Sequence, residues 1–322
     1  MRPILLRVEH VDFGEALLGL LGLFVLTLLW RRAARALGED VPELSSAGVL
    51  GAFAFSAVLT AAAAFVINRF GPVDIKSYGA MLVLGFAAAT LWVIHDGGRR
   101  GHEPAIFVDL AIYILLGAVI GARLAYVLLD WHAYEKHPGA VLALWQGGLS
   151  FHGGVAGAML SGAVFCWRFR KPFWEMADLL APAVAIGYAF GRVGCFLNGC
   201  CYGVPTHLPW GVRFPAATFL DGRPIGEPVH PTQLYGAAAS LLIFGLLLLA
   251  RSHLRVRGHL FALYVILYSI YRFLVEFLRH GVTGMPLPWL PALTVGQVVS
   301  LSLVLAAVVA MAATWHCGRS RK

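Results

Sequence analysis

The sequence predicts an all-α membrane protein, a polytopic bundle of transmembrane helices with about nine spans. Three observations support this prediction: apolar residues make up 59% of the 322 residues, charged residues make up only 13%, and the apolar residues gather in long runs. A typical soluble domain carries about 25% charged residues, and a disordered chain combines low hydrophobicity with high charge. The net charge of +8 fits contact with anionic lipid better than nucleic-acid binding, because the basic residues are scattered between apolar runs.

Nine apolar runs are long enough to cross a bilayer core of ~30 Å, which takes about 20 helical residues. Three arginines directly follow the first run and its start is not distinctly basic, so we interpret it as a span and not as a signal peptide. We expect an N-terminal extension with two spans at 1–68 and a seven-span membrane domain at 69–322. The nine runs cover residues 14–30, 47–67, 77–95, 105–129, 149–167, 176–197, 232–250, 258–278 and 293–315.

Basic residues are unequally divided between the two sets of segments that connect nine spans. Fourteen Lys and Arg residues lie in one set, against eight in the other. Because cytoplasmic loops carry the excess of Lys and Arg, the richer set is predicted to be cytoplasmic together with the C-terminus. The long segment at about 198–231 is then external. The richer set consists of 31–35, 99–100, 168–171, 251–257 and 319–322.

Three arginines, Arg123, Arg192 and Arg272, fall inside predicted spans, toward the external ends. A charge at membrane depth costs at least ~2.5–3.5 kcal/mol on insertion scales, so it needs a partner or a polar cavity. Snorkelling to the interface is the simpler interpretation of any one of them. Three arginines near the same side of the membrane favour a bound anion, and a lipid phosphate is the obvious candidate.

Polar motifs lie at the same external ends. His152, followed by two glycines, is either a proton acceptor or a hydrogen-bonded structural histidine. The glycine-dense stretch 191–203 is typical of a helix that unwinds around a polar site, although an ordinary helix end with a Gly-Asn turn would look similar. His230 and Gln233 flank Pro231, a residue favoured at helix starts.

One face of the eighth predicted span carries polar residues at helical spacing. Tyr268, Arg272, Glu276 and Arg279 share this face, because positions three and four apart are neighbours on a helix. Arg272 and Glu276 can pair directly, either beside a ligand or as a structural ion pair.

Two glycine spacings predict that helices pack closely against each other. The spacings Gly117-x-x-x-Gly121 and Gly153-x-x-x-Gly157 are typical of such contacts.

Three cysteines lie close together in the sequence around the end of the sixth predicted span. Cys195, Cys200 and Cys201 fit a zinc site only loosely, since no second ligand pair follows them. We therefore expect no metal and interpret the cysteines as packing residues or as partners in an external disulfide, which spacing alone cannot establish.

Several of these motifs occur in the same order in the prolipoprotein diacylglyceryl transferase family, which the chain resembles over about 70–315. Two positions depart from that family's common pattern: Cys195 stands where Asn is usual, and Cys200 where an acidic residue is usual. The motifs are Phe151-His152-Gly153-Gly154, Gly191-Arg192-x-Gly194-x-Phe196-x-Asn198-Gly199, His230-Pro231-Thr232-Gln233-Leu234-Tyr235, Arg272-Phe273-x-x-Glu276-Phe277-x-Arg279, and, further upstream, Ser77-Tyr78-Gly79 and Gly121-Ala122-Arg123-x-x-Tyr126.

The resemblance implies a transferase of the bacterial cytoplasmic (inner) membrane with its active site toward the external side. Such enzymes move diacylglyceryl from phosphatidylglycerol to the lipobox cysteine thiol of a prolipoprotein signal peptide, without a cofactor, and release glycerol phosphate. The implied catalytic residues are His152, Arg192, Arg272 and Glu276. The implied substrate-binding residues are Tyr78, Arg123, Arg192, Asn198, Gly203, His230, Gln233, Tyr268 and Arg279.

A noncatalytic phospholipid-binding membrane protein or a transporter is the alternative function. Transporters also contain discontinuous helices and charges at membrane depth. However, the sequence has no convincing inverted repeat, and its intramembrane charges lean to one side of the membrane.

Overall fold

A computed structural model of the chain describes residues 4–8, 73–135, 138–143, 147–214, 227–254, 256–279, 286–287 and 290–319. The chain divides into two compact units, residues 2–80 and residues 81–322. In the first unit, strand β1 (Ile4–Val8) pairs antiparallel with strand β2 (Val73–Lys76). The predicted spans at 14–30 and 47–67, and the boundary expected at 68, lie outside the described residues.

Seven long helices make up most of the described chain, and they lie at the last seven predicted spans. Six of them are long and apolar enough to cross a membrane, and the seventh, Phe151–Arg168, is long enough at 18 residues but not apolar enough to be counted with them. The all-α membrane class is therefore confirmed, whereas the count of nine spans stays a prediction. The helices are α1 (Ser77–Arg99), α2 (Ala105–Leu129), α3 (Phe151–Arg168), α4 (Phe173–Asn198), α5 (Thr232–Ala250), α6 (His259–Glu276) and α7 (Val295–Arg319).

Short elements join the helices. A single helical turn, Trp131–Tyr134, and a 3-10 turn, Pro138–Leu142, follow α2. Strands β3 (Pro286–Leu287) and β4 (Leu290–Thr294) pair antiparallel and lead directly into α7. The 3-10 turn brings backbone carbonyls to Arg123 near the end of α2, and β4 brings Thr294 to Glu276 at the end of α6.

Helices α2 and α3 pack at close range along a stripe of glycines. An added Cβ on Gly121 would collide with the carbonyl of Gly153, and one on Gly157 would collide with the carbonyl of Gly117. The absence of side chains lets the two backbones approach, as in other small-residue membrane contacts. The structure thus confirms the close packing that these glycine spacings predict.

Of the three apolar clusters among the described residues, the two larger ones lie between the long helices. The first joins helices α1 to α4 around Phe107, Phe165 and Leu179, and the second joins α4, α5 and α6 around Leu247 and Leu260. Many other apolar side chains point outward and are exposed. Outward-facing apolar surface on helices of this length is expected when lipid rather than water surrounds them.

Ion pairs stabilise the end of the bundle where α4 and α6 begin. Asp96, near the end of α1, binds Arg100 and Arg251 at 2.8 Å each. Glu175, in the first turn of α4, binds Arg257 at 3.2 Å. The carboxylates at this end therefore neutralise several arginines of the segments that are predicted to be cytoplasmic.

The same end of the bundle contains a carboxylate that caps a helix. Asp178, on α4, accepts hydrogen bonds from the first turn of α6 and its N-cap, from Gly258 N at 2.7 Å and from Phe261 N at 2.8 Å. The first N–H groups of a helix have no partner within the helix. A side chain of α4 thus satisfies backbone donors of α6 and fixes where that helix begins.

Candidate functional site

The opposite end of the bundle, where α4 and α6 end and α5 and α7 begin, contains most of the predicted site residues. Arg192, in the last two turns of α4, is 7% exposed. Its Nη2 donates to the carbonyl of Thr232 at 3.1 Å, while its Nε is buried and has no hydrogen-bond partner among the described residues. A buried guanidinium with an unused donor is suited to an anionic ligand.

Aromatic rings lie beside this guanidinium. The Cζ atom of Arg192 is 5.9 Å from the ring centre of Tyr188, one turn earlier on α4. Tyr268, on α6, packs edge-on against Tyr188 with ring centres 5.3 Å apart. Tyr268 thus contacts the ring that lies next to Arg192.

Gly236, in the second turn of α5, makes room for the Arg192 side chain. A Cβ at position 236 would stand 2.8 Å from Arg192 Nε and 2.6 Å from Tyr271 Oη. Both distances are shorter than normal contacts, so any larger residue would displace one of these side chains. Arg192 and Tyr271 therefore converge on the same point of α5, a relationship that the sequence motifs did not indicate.

Helix α4 continues to Asn198 before the chain turns. Asn198 is exposed, and Gly199 caps the helix in the left-handed conformation, with φ +71°. Glycine is the usual residue at this position because it has no Cβ to strain the turn. Of the two interpretations of the stretch 191–203, the structure therefore supports an ordinary glycine-capped helix end rather than a helix that unwinds at Arg192.

Two side chains of α5 fix the turn that follows α4. Thr232 Oγ1 donates to the carbonyl of Cys201 at 2.8 Å, and Gln233 Nε2 donates to the carbonyl of Cys200 at 2.6 Å. Gln233 Oε1 is buried without a hydrogen-bond partner in the described part of the chain. That oxygen remains available to a ligand.

The thiols of this turn interact with one another. Cys195, Cys200 and Cys201 are all free, and their sulfur atoms lie within 4.8 Å of one another. The neighbouring thiols of Cys195 and Cys200 lower the pKa of the Cys201 thiol below its ordinary value, and the charges of Arg192 and Arg279 lower it further. Cys201 is therefore the cysteine of this cluster best able to carry a negative charge.

Isolated β-bridges connect the segment that follows Cys201 to the end of α6. Gly203 pairs with Arg279, and Gly203 N donates to the carbonyl of His230 at 2.9 Å. A Cβ on Gly203 would collide with the carbonyl of Leu278, so this position is closed to larger residues. Arg279 Nε is a second buried guanidinium nitrogen without a hydrogen-bond partner among the described residues.

His230 belongs to a polar group at the start of α5. Its Nδ1 lies 3.2 Å from Tyr235 Oη, which also accepts a hydrogen bond from Trp210 Nε1 at 2.8 Å. The side chain of His230 is therefore oriented by a residue one turn into the helix, and the tryptophan brings the segment after α4 to the same place.

Arg272 and Glu276 form the ion pair that the helical spacing predicts. Arg272 Nη1 binds Glu276 Oε2, and the Glu276 side chain is completely buried while that of Arg272 is 16% exposed. A Cβ on Gly296, at the start of α7, would stand 2.9 Å from Glu276 Oε1 and 3.3 Å from Arg272 Nη2. The pair therefore lies against the N-terminus of α7, whose dipole favours a carboxylate.

A reciprocal capping box caps the N-terminus of α7. Gln297 N donates to Thr294 Oγ1 at 3.3 Å, while Thr294 N donates to Gln297 Oε1 at 3.0 Å. The Thr294 hydroxyl in turn donates to Glu276 Oε1 at 3.3 Å. The sequence pattern Thr-x-x-Gln before an apolar run is a recognised capping signal, and it could have located this contact.

Arg123, near the end of α2, is held by backbone carbonyls. Its Nε donates to the carbonyl of Val141 at 2.8 Å, and its two Nη atoms donate to carbonyls between Ala140 and Gly148. All five N–H groups of the guanidinium are thereby used. Arg123 thus fixes the segment that leads to Ser150, the N-cap of α3.

Two further predicted residues, His152 and Tyr78, lie at the beginning of helices α3 and α1. His152, in the first turn of α3, is exposed, and its ring contacts Phe151 with centres 5.7 Å apart. Its nitrogens have no hydrogen-bond partner among the described residues, so the structural interpretation of His152 lacks a partner to support it. Tyr78 belongs to the other compact unit, at the second residue of α1, where it is 39% exposed.

An apolar groove runs between α5 and α6 and ends near the site. It has a volume of about 380 Å³ and is lined by residues that include Tyr235, Leu242, Leu267, Tyr271 and Leu278. Tyr271 belongs both to this groove and to the pair of side chains that converge on α5. The groove and Arg192 therefore share one neighbour, Tyr271, although Arg192 does not line the groove itself.

Comparison with known proteins identifies the family. Residues 65–313 match the family model described as prolipoprotein diacylglyceryl transferase. A phosphatidylglycerol–prolipoprotein diacylglyceryl transferase of Trichormus variabilis is 35% identical over 74% of this chain and 84% of that relative. Enzymes of the same name from Solidesulfovibrio magneticus (38% identical, 73% of this chain, 88% of the relative) and Geobacillus kaustophilus (36%, 80% and 93%) also match. The chain belongs to the prolipoprotein diacylglyceryl transferase family.

Proposed function

We propose that the chain transfers diacylglyceryl from phosphatidylglycerol to the lipobox cysteine thiol of a prolipoprotein, and that the phosphate of the lipid binds at Arg192. Family membership makes the chain a membrane-bound diacylglyceryl transferase. The observation that carries the assignment of the phosphate is the buried Arg192 Nε, which has no hydrogen-bond partner among the described residues. Arg279 Nε, likewise unpaired there, belongs to a neighbouring segment at the same end of the bundle.

The groove between α5 and α6 suits an acyl chain of the donor lipid. Its lining is dominated by leucines and other apolar residues, and it includes Tyr271, whose hydroxyl and Arg192 Nε both lie beside Gly236. A diacylglyceryl donor needs an apolar surface for its chains directly beside a cationic site for its phosphate. The groove and the guanidinium provide these two environments side by side.

The reaction requires a sulfur nucleophile and a stabilised leaving group. The acceptor thiol, with a reference pKa of about 8.5, loses its proton and attacks the glyceryl carbon that bears the phosphate. A carbon–sulfur bond forms, the carbon–oxygen bond breaks, and its electron pair leaves with glycerol phosphate. Arg192 and Arg272 stabilise that negative charge, while Glu276 orients Arg272. His152 is the proposed proton acceptor, because its exposed ring is free to reach a substrate.

Several of the other predicted binding residues receive structural roles in this proposal. Arg123 acts by holding the segment before α3, since its donors are occupied by carbonyls. Gly203 and Gln233 shape the segment after α4, and Tyr268 supports Tyr188. The residues that remain as proposed contacts for the two substrates are Tyr78, Asn198, His230 and Arg279.

We place the enzyme in the bacterial inner membrane with this site toward the external side and the C-terminus in the cytoplasm. The distribution of Lys and Arg supports that orientation, because the ion-paired end of the bundle carries Arg99, Arg100 and Arg251. The first 68 residues form a separate N-terminal extension in this proposal. A prolipoprotein reaches the site from the external side once its lipobox has crossed the membrane.

A reconstituted assay tests the proposed function. The full chain in liposomes that contain phosphatidylglycerol is given a lipobox peptide, and the mass of the peptide is measured. We expect addition of diacylglyceryl to the cysteine and release of glycerol phosphate. A peptide in which Ser replaces the cysteine is the control. Binding of phosphatidylglycerol without any product would instead support the noncatalytic lipid-binding alternative, which family membership does not favour.

A further inference from the structure

Three cysteine thiols converge at the end of α4, although their spacing in the sequence is a weak metal-binding pattern. The sulfur atoms of Cys195, Cys200 and Cys201 all lie within 4.8 Å of one another. A zinc–thiolate bond is about 2.3 Å long, which puts the sulfurs of a tetrahedral site about 3.8 Å apart. The observed separations are therefore close to those that a single bound cation requires.

The backbone around the thiols is fixed before any cation arrives. Cys201 adopts a left-handed conformation with φ +62°, which is uncommon for a residue with a side chain. Thr232 and Gln233 bind the carbonyls of Cys201 and Cys200, and Cys200 Sγ donates to the carbonyl of Cys195 at 3.7 Å. These contacts reduce the conformational entropy that the backbone would lose when a metal binds.

The thiols are also accessible. Cys201 is exposed, while Cys195 and Cys200 are half-buried, so a cation can enter from one side and still be enclosed on the other. Soft thiolate ligands select soft cations such as Zn²⁺ and Cu⁺ over Mg²⁺ or Ca²⁺. Three thiolates leave one coordination position of a tetrahedral cation open to water or another ligand.

We propose that Cys195, Cys200 and Cys201 form a three-thiolate binding site for a soft metal cation of the zinc class. This proposal replaces the expectation of packing residues or a disulfide, which rested on spacing alone. Starting from three neutral thiols, the binding of one divalent cation releases three protons to solvent and leaves a complex with net charge −1.

The site has a consequence for catalysis that rests on the proposed function. Cys195 lies three residues after Arg192 on α4, and positions three apart are neighbours on the surface of a helix. A bound cation therefore leaves a negative complex beside the group to which we assign the lipid phosphate. Occupation of the site by the cation inhibits transfer, because the phosphate and the complex compete for the same guanidinium.

Metal titration of the full-length protein in detergent, kept reduced with a phosphine, tests the site directly. Cd²⁺ is the probe, because its thiolate complexes absorb in the ultraviolet, and Zn²⁺ is the competitor. All proteins, the parent included, carry Cys317→Ala, which removes the fifth cysteine of the chain. We expect one Cd²⁺ per chain with a thiolate absorption band, its loss in Cys200→Ala and Cys201→Ala, and its retention in the control Cys166→Ala.

The activity assay then separates the two parts of the inference. Zn²⁺ is expected to inhibit transfer in the parent and in Cys166→Ala, and to have little effect on Cys200→Ala. Stoichiometric Cd²⁺ binding with no inhibition by Zn²⁺ would overturn the effect on catalysis and leave the site supported. Binding of Cd²⁺ by a protein that shows no transfer at all would count against the proposed function and again leave the site supported.

Two results would overturn the metal site itself. The first is the absence of Cd²⁺ binding by the reduced, folded parent, even if its transfer activity is normal. The second is binding that survives the loss of Cys200 and Cys201, because the cation would then belong to other groups.

Discussion

The Thr294 hydroxyl donates a hydrogen bond to the buried Glu276 carboxylate, with 3.3 Å between Oγ1 and Oε1. The same hydroxyl oxygen accepts a hydrogen bond from Gln297 N at the start of α7. One side chain thus caps a helix and orients the carboxylate that pairs with Arg272. The stability of α7 and the position of a proposed catalytic ion pair therefore depend on the same hydroxyl group.

Replacing Thr294 with Val should reduce both stability and transfer. Loss of an N-cap costs about 1 kcal/mol, and Glu276 also loses a donor. We expect a lower Tm and a reduced kcat in Thr294→Val, measured on purified protein and in the liposome assay. Thr294→Ser keeps the hydroxyl and is expected to retain most of both. Equal Tm and kcat in Thr294→Val and the parent would remove Thr294 from this role.

Gly236→Ala should abolish most transfer, because the added methyl group would stand 2.8 Å from Arg192 Nε. The guanidinium must then move away from the proposed phosphate position. Gly245→Ala is the matched control on the same helix, since nothing lies within 4 Å of a Cβ there. Measurement of transfer at equal membrane abundance distinguishes the two, and similar activity in both variants would contradict the proposed crowding.

Arg192→Lys and Arg272→Lys should each keep part of the activity, whereas the Ala variants should lose most of it. Lysine retains the positive charge but not the planar, two-pronged donor geometry that suits phosphate. Initial transfer rates over a range of phosphatidylglycerol contents in the liposomes would measure the loss. Full activity in the Lys and Ala variants of both positions would reject phosphate binding by these arginines.

Cys195→Ser and Cys200→Ser should retain substantial transfer in metal-free buffer, while His152→Ala should lose most of it. The acceptor already supplies a thiol, so the reaction needs no covalent enzyme intermediate. Transfer rates compared at equal abundance test this difference. Isolation of enzyme carrying diacylglyceryl on Cys195 or Cys200, with turnover abolished by the Ser variant, would require a two-step mechanism instead.

Reporter fusions should place the C-terminus and the segment after α4 on opposite sides of the membrane. A reporter after Lys322 is expected in the cytoplasm, and one inserted within 204–229 is expected outside, because Lys and Arg are concentrated in the segments at the other end of the bundle. Alkaline phosphatase and a fluorescent protein give opposite signals for the two sides. Reversed signals would place the site away from a translocated acceptor.

The helices could be predicted closely because long apolar runs leave few alternatives for a chain in lipid. Arg192, Arg272 and Glu276 could be singled out for the related reason that charge at membrane depth is costly. Gly236 was not predicted, since a glycine in an apolar helix does not show which side chain passes over it. Arg123 shows another limit: the sequence reveals the charge, but not that backbone carbonyls of a distant turn occupy its donors.

If the lipid phosphate binds at Arg192 as proposed, the unequal pairing of charges at the two ends of the bundle predicts that the enzyme takes donor lipid from a single leaflet. Asp96, Glu175 and Asp178 already bind cationic or amide donors at one end, whereas Nε of Arg192 and Nε of Arg279, which have no hydrogen-bond partner within the described part of the chain, lie at the other. A phosphatidylglycerol molecule in the far leaflet reaches the proposed phosphate site only after it has crossed the bilayer. In an asymmetric membrane, the supply of substrate is then set by lipid flip-flop as well as by the enzyme.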